Sequence, residues 1–234
     1  MAHRHAVYRF AVYWAPPRGH ALWSAGCAWL GRDPETGEAL TPPLPPGLSA
    51  DRHGAITRDP RRYGWHATLK APFRLVDGED EASLDAAIAA FAARRRPFRG
   101  PRLRLAPLSG FLAVTAAEAC AELDALAADA VAALDRFRAP PEAEELDRRR
   151  RAGLTERQER LLARWGYPYV MEEWRFHMTL TGRLGEPELA DLRTALEPRF
   201  AAALAEPPPF DSVALYAEPQ PGAAFVLLRR YAFG

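Results

Sequence analysis

Two strings of the form His-x-Thr-Leu, HATL at 66–69 and HMTL at 177–180, lie 111 residues apart in a chain of 234. Each sits in a β-forming stretch, and each is followed by an amphipathic helix pattern and then two strand patterns. Phe98 and Phe210, which follow those helices, lie 112 apart. A near-constant offset of this kind points to an internal duplication. The unit occurs twice only, so it predicts a pair of pseudo-symmetric lobes and not a solenoid.

The local patterns fill in the lobes. Residues 7–14, VYRFAVYW, alternate large β-formers and read as a strand. Residues 18–31 space Leu22, Trp29 and Leu30 as a short helix does, with Gly31 as its stop. The Pro-rich stretch 41–50 reads as a stiff surface connection. Residues 63–73 read as a strand ending near Pro72. Residues 80–96 carry Leu84, Ile88 and Phe91 on one helical face, with acids first and arginines last. Strands are expected at 102–108 and 110–116, then a helix at 116–137 and a charged helical insert at 140–166. A strand at 173–184, a helix at 186–205 bent by Pro198, and strands at 210–218 and 223–231 complete the chain. The expected class is α+β: a bilobal chain with an antiparallel-rich sheet and flanking helices in each lobe, around a central cleft. All 234 residues form one domain in this reading, with a first repeat about 7–108 and a second about 110–231.

Composition narrows the partners. Net charge is +1, so no global basic field exists to hold a long nucleic acid; DNA is not expected, and any anion site must be local. Cys27 and Cys120 are far apart and form no metal or redox motif. No stretch has the features of a signal peptide, and no apolar run approaches the roughly 20 residues of a membrane span. The cytoplasm is the expected compartment, and no membrane partner is expected. The residues leave the oligomeric state open.

The chemistry lies in the two strings. Side chains alternate along a strand, which puts His66, Thr68 and Lys70 on one face and Arg175, His177, Thr179 and Thr181 on another. Lys70 is the single lysine among 31 lysines and arginines. If equivalent strands meet across a pseudo-twofold axis, these faces line one cleft that suits a small tetrahedral anion. Imidazole titrates near neutral pH, so His66 and His177 can divide proton removal and proton donation between them. Thr68 and Thr179 would hold the phosphoryl oxygens. Lys70 or Arg175 would stabilise charge, and Thr181 and Tyr13 would line the cleft. No Cys, Asp or Glu shares these faces, so no metal and no cofactor is expected. His3, His5, His20 and His53 fall in terminal or loop-like stretches and are expected to be solvated. The arginine run 148–151 is either an exposed helix face or a lip that collects anionic substrate.

HATL and HMTL resemble the paired H-x-[T/S]-x motifs of the 2H phosphoesterase superfamily. That resemblance implies a bilobal α+β fold, catalytic roles for His66 and His177, and phosphoryl binding by Thr68 and Thr179. The superfamily includes RNA 2′,3′-cyclic phosphodiesterases and bacterial 2′–5′ RNA ligases, so an RNA end is one implied substrate. The stretches FAVYWAPP, LWSAGCAWLGRDPETGE, DPRRYGWHATLKAPFRL, RQERLLARWGYPYV and EEWRFHMTLTGRL resemble a narrower branch. Its genes lie in bacterial phosphonate-utilisation operons, often beside carbon–phosphorus lyase genes. That route makes a phosphoribosyl 1,2-cyclic phosphate, so the branch implies a small phosphorylated substrate. The leading expectation is a metal-independent cyclic phosphodiesterase. The alternatives are an RNA end-processing enzyme and a non-catalytic binder of a cyclic phosphate or nucleotide.

Overall fold

The computed structural model describes residues 7–151 and 153–234, so His3 and His5 lie outside the described residues. The chain runs β1 (Arg9–Trp14), α1 (Ala21–Leu30), α2 (Ala50–Tyr63), β2 (Ala67–Phe73), α3 (Glu81–Ala93), β3 (Phe98–Arg99), β4 (Leu103–Leu108) and β5 (Phe111–Ala116). It continues with α4 (Ala121–Ala133), α5 (Ala143–Arg150), α6 (Glu156–Trp165), β6 (His177–Arg183), α7 (Glu186–Phe200), β7 (Pro209–Phe210), β8 (Ser212–Glu218) and β9 (Val226–Ala232). Short 3₁₀ turns at Asp135–Phe137 and Met171–Glu173 follow α4 and α6.

Seven strands form one antiparallel sheet in the order β4-β5-β6-β2-β1-β8-β9, and β3 pairs with β7 in a second, two-stranded sheet. The order is close to palindromic. Exchanging β1, β2, β3 and β4 with β5, β6, β7 and β8 maps every neighbouring pair except β8–β9 onto a neighbouring pair. The pairs that such an exchange leaves in place, β2–β6 and β3–β7, meet at Ala67↔Met178 and Phe98↔Phe210. These partners are 111 and 112 residues apart, the offsets seen in the sequence. Each half therefore completes the other's part of the sheet. The late strand β8 pairs with β1, and the early strand β4 pairs with β5.

The core forms along these contacts. Trp14, Trp29 and Trp65 are fully buried, and Trp14 and Phe98 both stack on Phe210. Two indoles tie the halves together. Trp29 on α1 donates to the Leu180 carbonyl of β6 at 2.9 Å, and Trp174 donates to the Thr68 carbonyl of β2 at 2.8 Å.

Local expectations hold where a hydrophobic stripe marks the element. The helix expected at 80–96 is α3, started by a capping box between Asp80 and Ser83. The insert contains two helices, α5 and α6. α7 continues through Pro198 and ends two residues later, because a proline in the last turn disturbs only the end of the hydrogen-bond ladder.

One helix has no counterpart in the sequence reading. α2 buries His53, Ile56, Thr57 and Pro60, a helical spacing carried mostly by polar or ring-constrained residues. His53 is thus buried, contrary to expectation, with Nε2 bound to the Trp29 carbonyl at 2.8 Å. Arg61 donates to the Leu30 carbonyl and to Thr57, fastening α2 to the end of α1. His20 caps α1 by accepting from the Leu22 amide.

Candidate active site

β2 and β6 meet at Ala67↔Met178. Paired residues in an antiparallel ladder point to the same face, and their neighbours along each strand point to the other. Ala67 and Met178 are buried, so His66, Thr68, His177 and Thr179 share the opposite face. The register sets His66 across from Thr179, and Thr68 across from His177. The two motifs therefore interlock as a quartet around the pseudo-axis.

Both imidazoles are held in the same way. His66 Nδ1 lies 2.9 Å from the Gly64 carbonyl, and His177 Nδ1 lies 2.8 Å from the Arg175 carbonyl. In each case the partner is two residues back. A carbonyl only accepts, so Nδ1 carries the proton and Nε2 is left as the reactive nitrogen. Gly64 is required for this geometry on the first strand. Its φ is +79°, and a Cβ there would come within 2.7 Å of Pro34, so the chain can turn from α2 into β2 only through glycine. The Thr68 hydroxyl donates to His66 Nε2 at 3.3 Å.

A cleft of about 920 Å³ opens on this face. Its wall includes Tyr13, Tyr63, His66, Thr68, Thr179 and Thr181. His177 is not among the wall residues; its ring lies 5.9 Å from that of Phe111, which is one of them. Tyr13 lies flat on His66, at 3.7 Å between ring centroids and 20° between planes. Tyr216 and Tyr63 stand 6.0 and 6.4 Å from the same imidazole. Burial pushes His66 down to about 4, partly offset by the bond to Gly64; the charge of His177 lowers it further. Burial lowers His177 as well, again opposed by its carbonyl partner. Burial drives the Tyr13 phenol well above its ordinary range.

Two expected site residues need correction. Lys70 does not line the cleft; it is 3% exposed and donates to the Val131 carbonyl at 3.2 Å and to Asp135 at 3.1 Å. The cause is an irregularity in the β1–β2 ladder. Tyr13 pairs with Thr68, but the adjacent Val12 pairs with Lys70. One extra residue on β2 turns Lys70 to the other face, toward α4, and Ala71 takes its place in the cleft wall. Arg175 also lies outside the cleft. β6 begins only at His177, and the Arg175 guanidinium folds back onto the carbonyls of Glu172 and Trp174. Thr181 borders the cleft, but it is buried and its hydroxyl accepts from the Leu112 amide at 3.0 Å.

The positive charge in the cleft comes from arginines elsewhere. Arg9 and Arg62 converge on Glu218, which is fully buried, at 2.6 and 3.0 Å. Arg74 reaches Glu142 at 2.6 Å. Arg148 and Arg149 on α5 and Arg183 at the end of β6 complete the set. The arginine run on the insert thus does reach the cleft rim. Arg9, Arg62 and Arg183 carried no sequence motif, and only the fold brings them together. Among the described residues, no cluster of three or more His, Cys, Asp or Glu is placed to hold a metal. No helix there is long and apolar enough to cross a membrane.

The profile of the family described as "Protein of unknown function (DUF1045)" matches residues 68–226. The chain belongs to the DUF1045 family. Curated relatives of this DUF1045 chain include proteins named ribose 1,5-bisphosphate phosphokinase PhnN. The one from Janthinobacterium sp. (strain Marseille) is 42% identical over 232 residues, covering 97% of this chain and 51% of the relative. The one from Laribacter hongkongensis (strain HLHK9) is 41% identical over 224 residues, covering 94% and 51%. The DUF1045 chain thus spans about half the length of these relatives. Among solved structures, a phosphoesterase is similar at a TM-score of 0.41 and 15% identity, over 97% of this chain and 98% of that one. Escherichia coli LigT complexed with 3′-AMP is similar at a TM-score of 0.42 and 14% identity, with the same coverage.

Proposed function

We propose that this chain is a metal-independent cyclic phosphodiesterase that opens a cyclic phosphate on a small sugar phosphate by two-histidine acid–base catalysis. One observation carries the reading. Adjacent strands bring two imidazoles to one face of the sheet beside a cleft, each with Nδ1 tied to a carbonyl so that Nε2 is the nitrogen for proton transfer, that of His66 accepting from the Thr68 hydroxyl. One unprotonated Nε2 takes a proton from water as its oxygen bonds to phosphorus. The other imidazole, protonated, gives its proton to the ring oxygen as the phosphorus–oxygen bond breaks. The products are a phosphate monoester and a free hydroxyl. Thr68 and Thr179 flank the reacting group, and the arginines of the cleft offset its charge.

The relatives' name supports a ribose phosphate as the scaffold. Opening a 1,2-cyclic phosphate of ribose 5-phosphate at the 2-oxygen yields ribose 1,5-bisphosphate, the compound in that name. Phosphate transfer from a nucleotide belongs, in this reading, to the half of the relatives that this chain does not span. The chain has no G-x-x-x-x-G-K-[ST] loop, since its one lysine lies in TLKA.

The test is phosphorus-31 spectroscopy of the purified chain with ribose 5-phosphate 1,2-cyclic phosphate in EDTA. The wild type should convert the five-membered cyclic signal to a monoester signal. His66→Ala and His177→Ala should each lower kcat by about 10² to 10⁴ while keeping a cooperative thermal melt. A variant that keeps more than roughly a tenth of wild-type kcat would overturn the two-imidazole mechanism.

A further inference from the structure

Five of the six arginines that reach the cleft fall into two groups, and Arg183 stands apart at the end of β6. Arg9 and Arg62 are held by the buried Glu218, and Arg74 by Glu142. Their charge is largely compensated within the protein. On α5 the pattern differs. Arg148 is exposed and forms no ion pair among the described residues. Arg149 lies over the Tyr167 ring, with its guanidinium carbon 4.5 Å from the ring centre. Its Nε is shut off from water with no acceptor, and the nearest Glu145 oxygen is 3.8 Å from its Nη2. A desolvated donor without an acceptor is unfavourable by roughly 1–3 kcal/mol. Tyr167 also lines the cleft, so the Arg149 guanidinium is packed at the cleft wall, and a guanidinium suits a phosphate. Glu142, Glu144 and Glu145, at the start of α5, also line the cleft, and the arginines lie in its last turn. The cleft, at about 920 Å³, has room for more than one phosphoryl group and a sugar.

We propose that Arg148 and Arg149, in the last turn of α5, form a second anion site that holds a phosphate monoester on the substrate whose cyclic phosphate the histidines open. This rests on the cyclic phosphodiesterase reading and narrows it. The substrate class is a doubly phosphorylated sugar, with one phosphate closed in a ring and the other free. The insert is therefore the specificity element of the site. An enzyme acting on cyclic ends without a second monoester would gain nothing from it.

The experiment compares ribose 5-phosphate 1,2-cyclic phosphate with ribose 1,2-cyclic phosphate, which lacks the second phosphate. The wild type should prefer the former by tenfold or more in kcat/KM. Arg148→Gln/Arg149→Gln should reduce that preference to about twofold, mainly through KM, and Arg148→Gln alone should reduce it in part. Arg148→Gln removes an exposed, unpaired side chain, so its result does not depend on the Tyr167 packing. A preference ratio unchanged in the double variant would overturn the second site. If the wild type opens neither compound, calorimetric binding of ribose 5-phosphate separates the two claims. Affinity reduced at least fivefold by the double variant would keep the anion site while the phosphodiesterase reading falls. Equal affinity, or no binding to the wild type, would remove both.

Discussion

Tyr13 covers His66 at 3.7 Å, while the aromatic neighbour of His177, Phe111, stands 5.9 Å away and tilted. His66 is thus the more closely covered of the two imidazoles. His66 is pushed down to about 4 by burial; His177 is lowered by the same cause. Both shifts favour the neutral imidazole, so the free chain holds two uncharged rings at pH 7. Acid–base catalysis requires one to be protonated. The alkaline limb of kcat/KM should therefore fall below pH 6.5, and that of kcat should move upward because a bound phosphate anion favours imidazolium. Tyr13→Leu should admit water to His66 and raise its pKa toward the ordinary value, while Tyr13→Phe should not. Titration of the His66 ring by NMR checks this; an unmoved pKa in the leucine variant would mean that the stack does not control the proton. The sign for stability follows the same shift. The folded pKa of His66 lies below its unfolded value, so its contribution is full above pH 6.5 and declines as pH falls toward about 4.

Among the elements, strand alternation located the quartet and misplaced its neighbours for definite reasons. His66, Thr68, His177 and Thr179 flank the Ala67↔Met178 contact, where the period of two is intact, and so their shared face was legible in the sequence. Lys70 lies one step beyond a ladder irregularity, which hydrophobic pattern alone does not reveal. Arg175 was assigned to a strand that begins two residues later. α2 escaped because its buried face uses His53, Thr57 and Pro60 beside a single large apolar residue. Its signals were the Ser49 cap, the 3-1-3 spacing of that face and Gly64. The displaced Lys70 makes its own prediction. Burial lowers it to about 8, and Asp135 only partly offsets this. The folded pKa lies below the unfolded one, so between about pH 8 and 10.5 the lysine binds more protons in the unfolded chain and its contribution to stability rises with pH. Lys70→Met lacks this dependence. The stability of the wild type relative to Lys70→Met should rise across that window, by on the order of 3 kcal/mol at most. Urea melts at several pH values measure it; a constant difference would show that the lysine stays charged when folded.

For the whole molecule, the pseudo-twofold arrangement makes the site a joint product of both halves. β4 pairs with β5 and β8 pairs with β1. The Trp29 and Trp174 indoles each donate to a carbonyl on the motif strand of the opposite half. Neither half contains the partner strand that its own sheet edge requires, and an unpaired edge over a hydrophobic core is unstable and prone to association. Ser109 and Gly110 form the turn between β4 and β5, both with positive φ, and make a natural point at which to divide the chain. Fragments 1–109 and 110–234 should each lack a cooperative melt when made alone, because the first leaves β4 without a partner and the second leaves β8 with one open edge. Refolded together, they should recover a cooperative transition and, with it, cyclic phosphate opening, since the quartet forms only where β2 meets β6. A cooperative melt of fragment 1–109 by itself would show that the half is an independent unit. The quartet would then be a contact between two finished lobes, and one sheet spanning both would not be what holds it together.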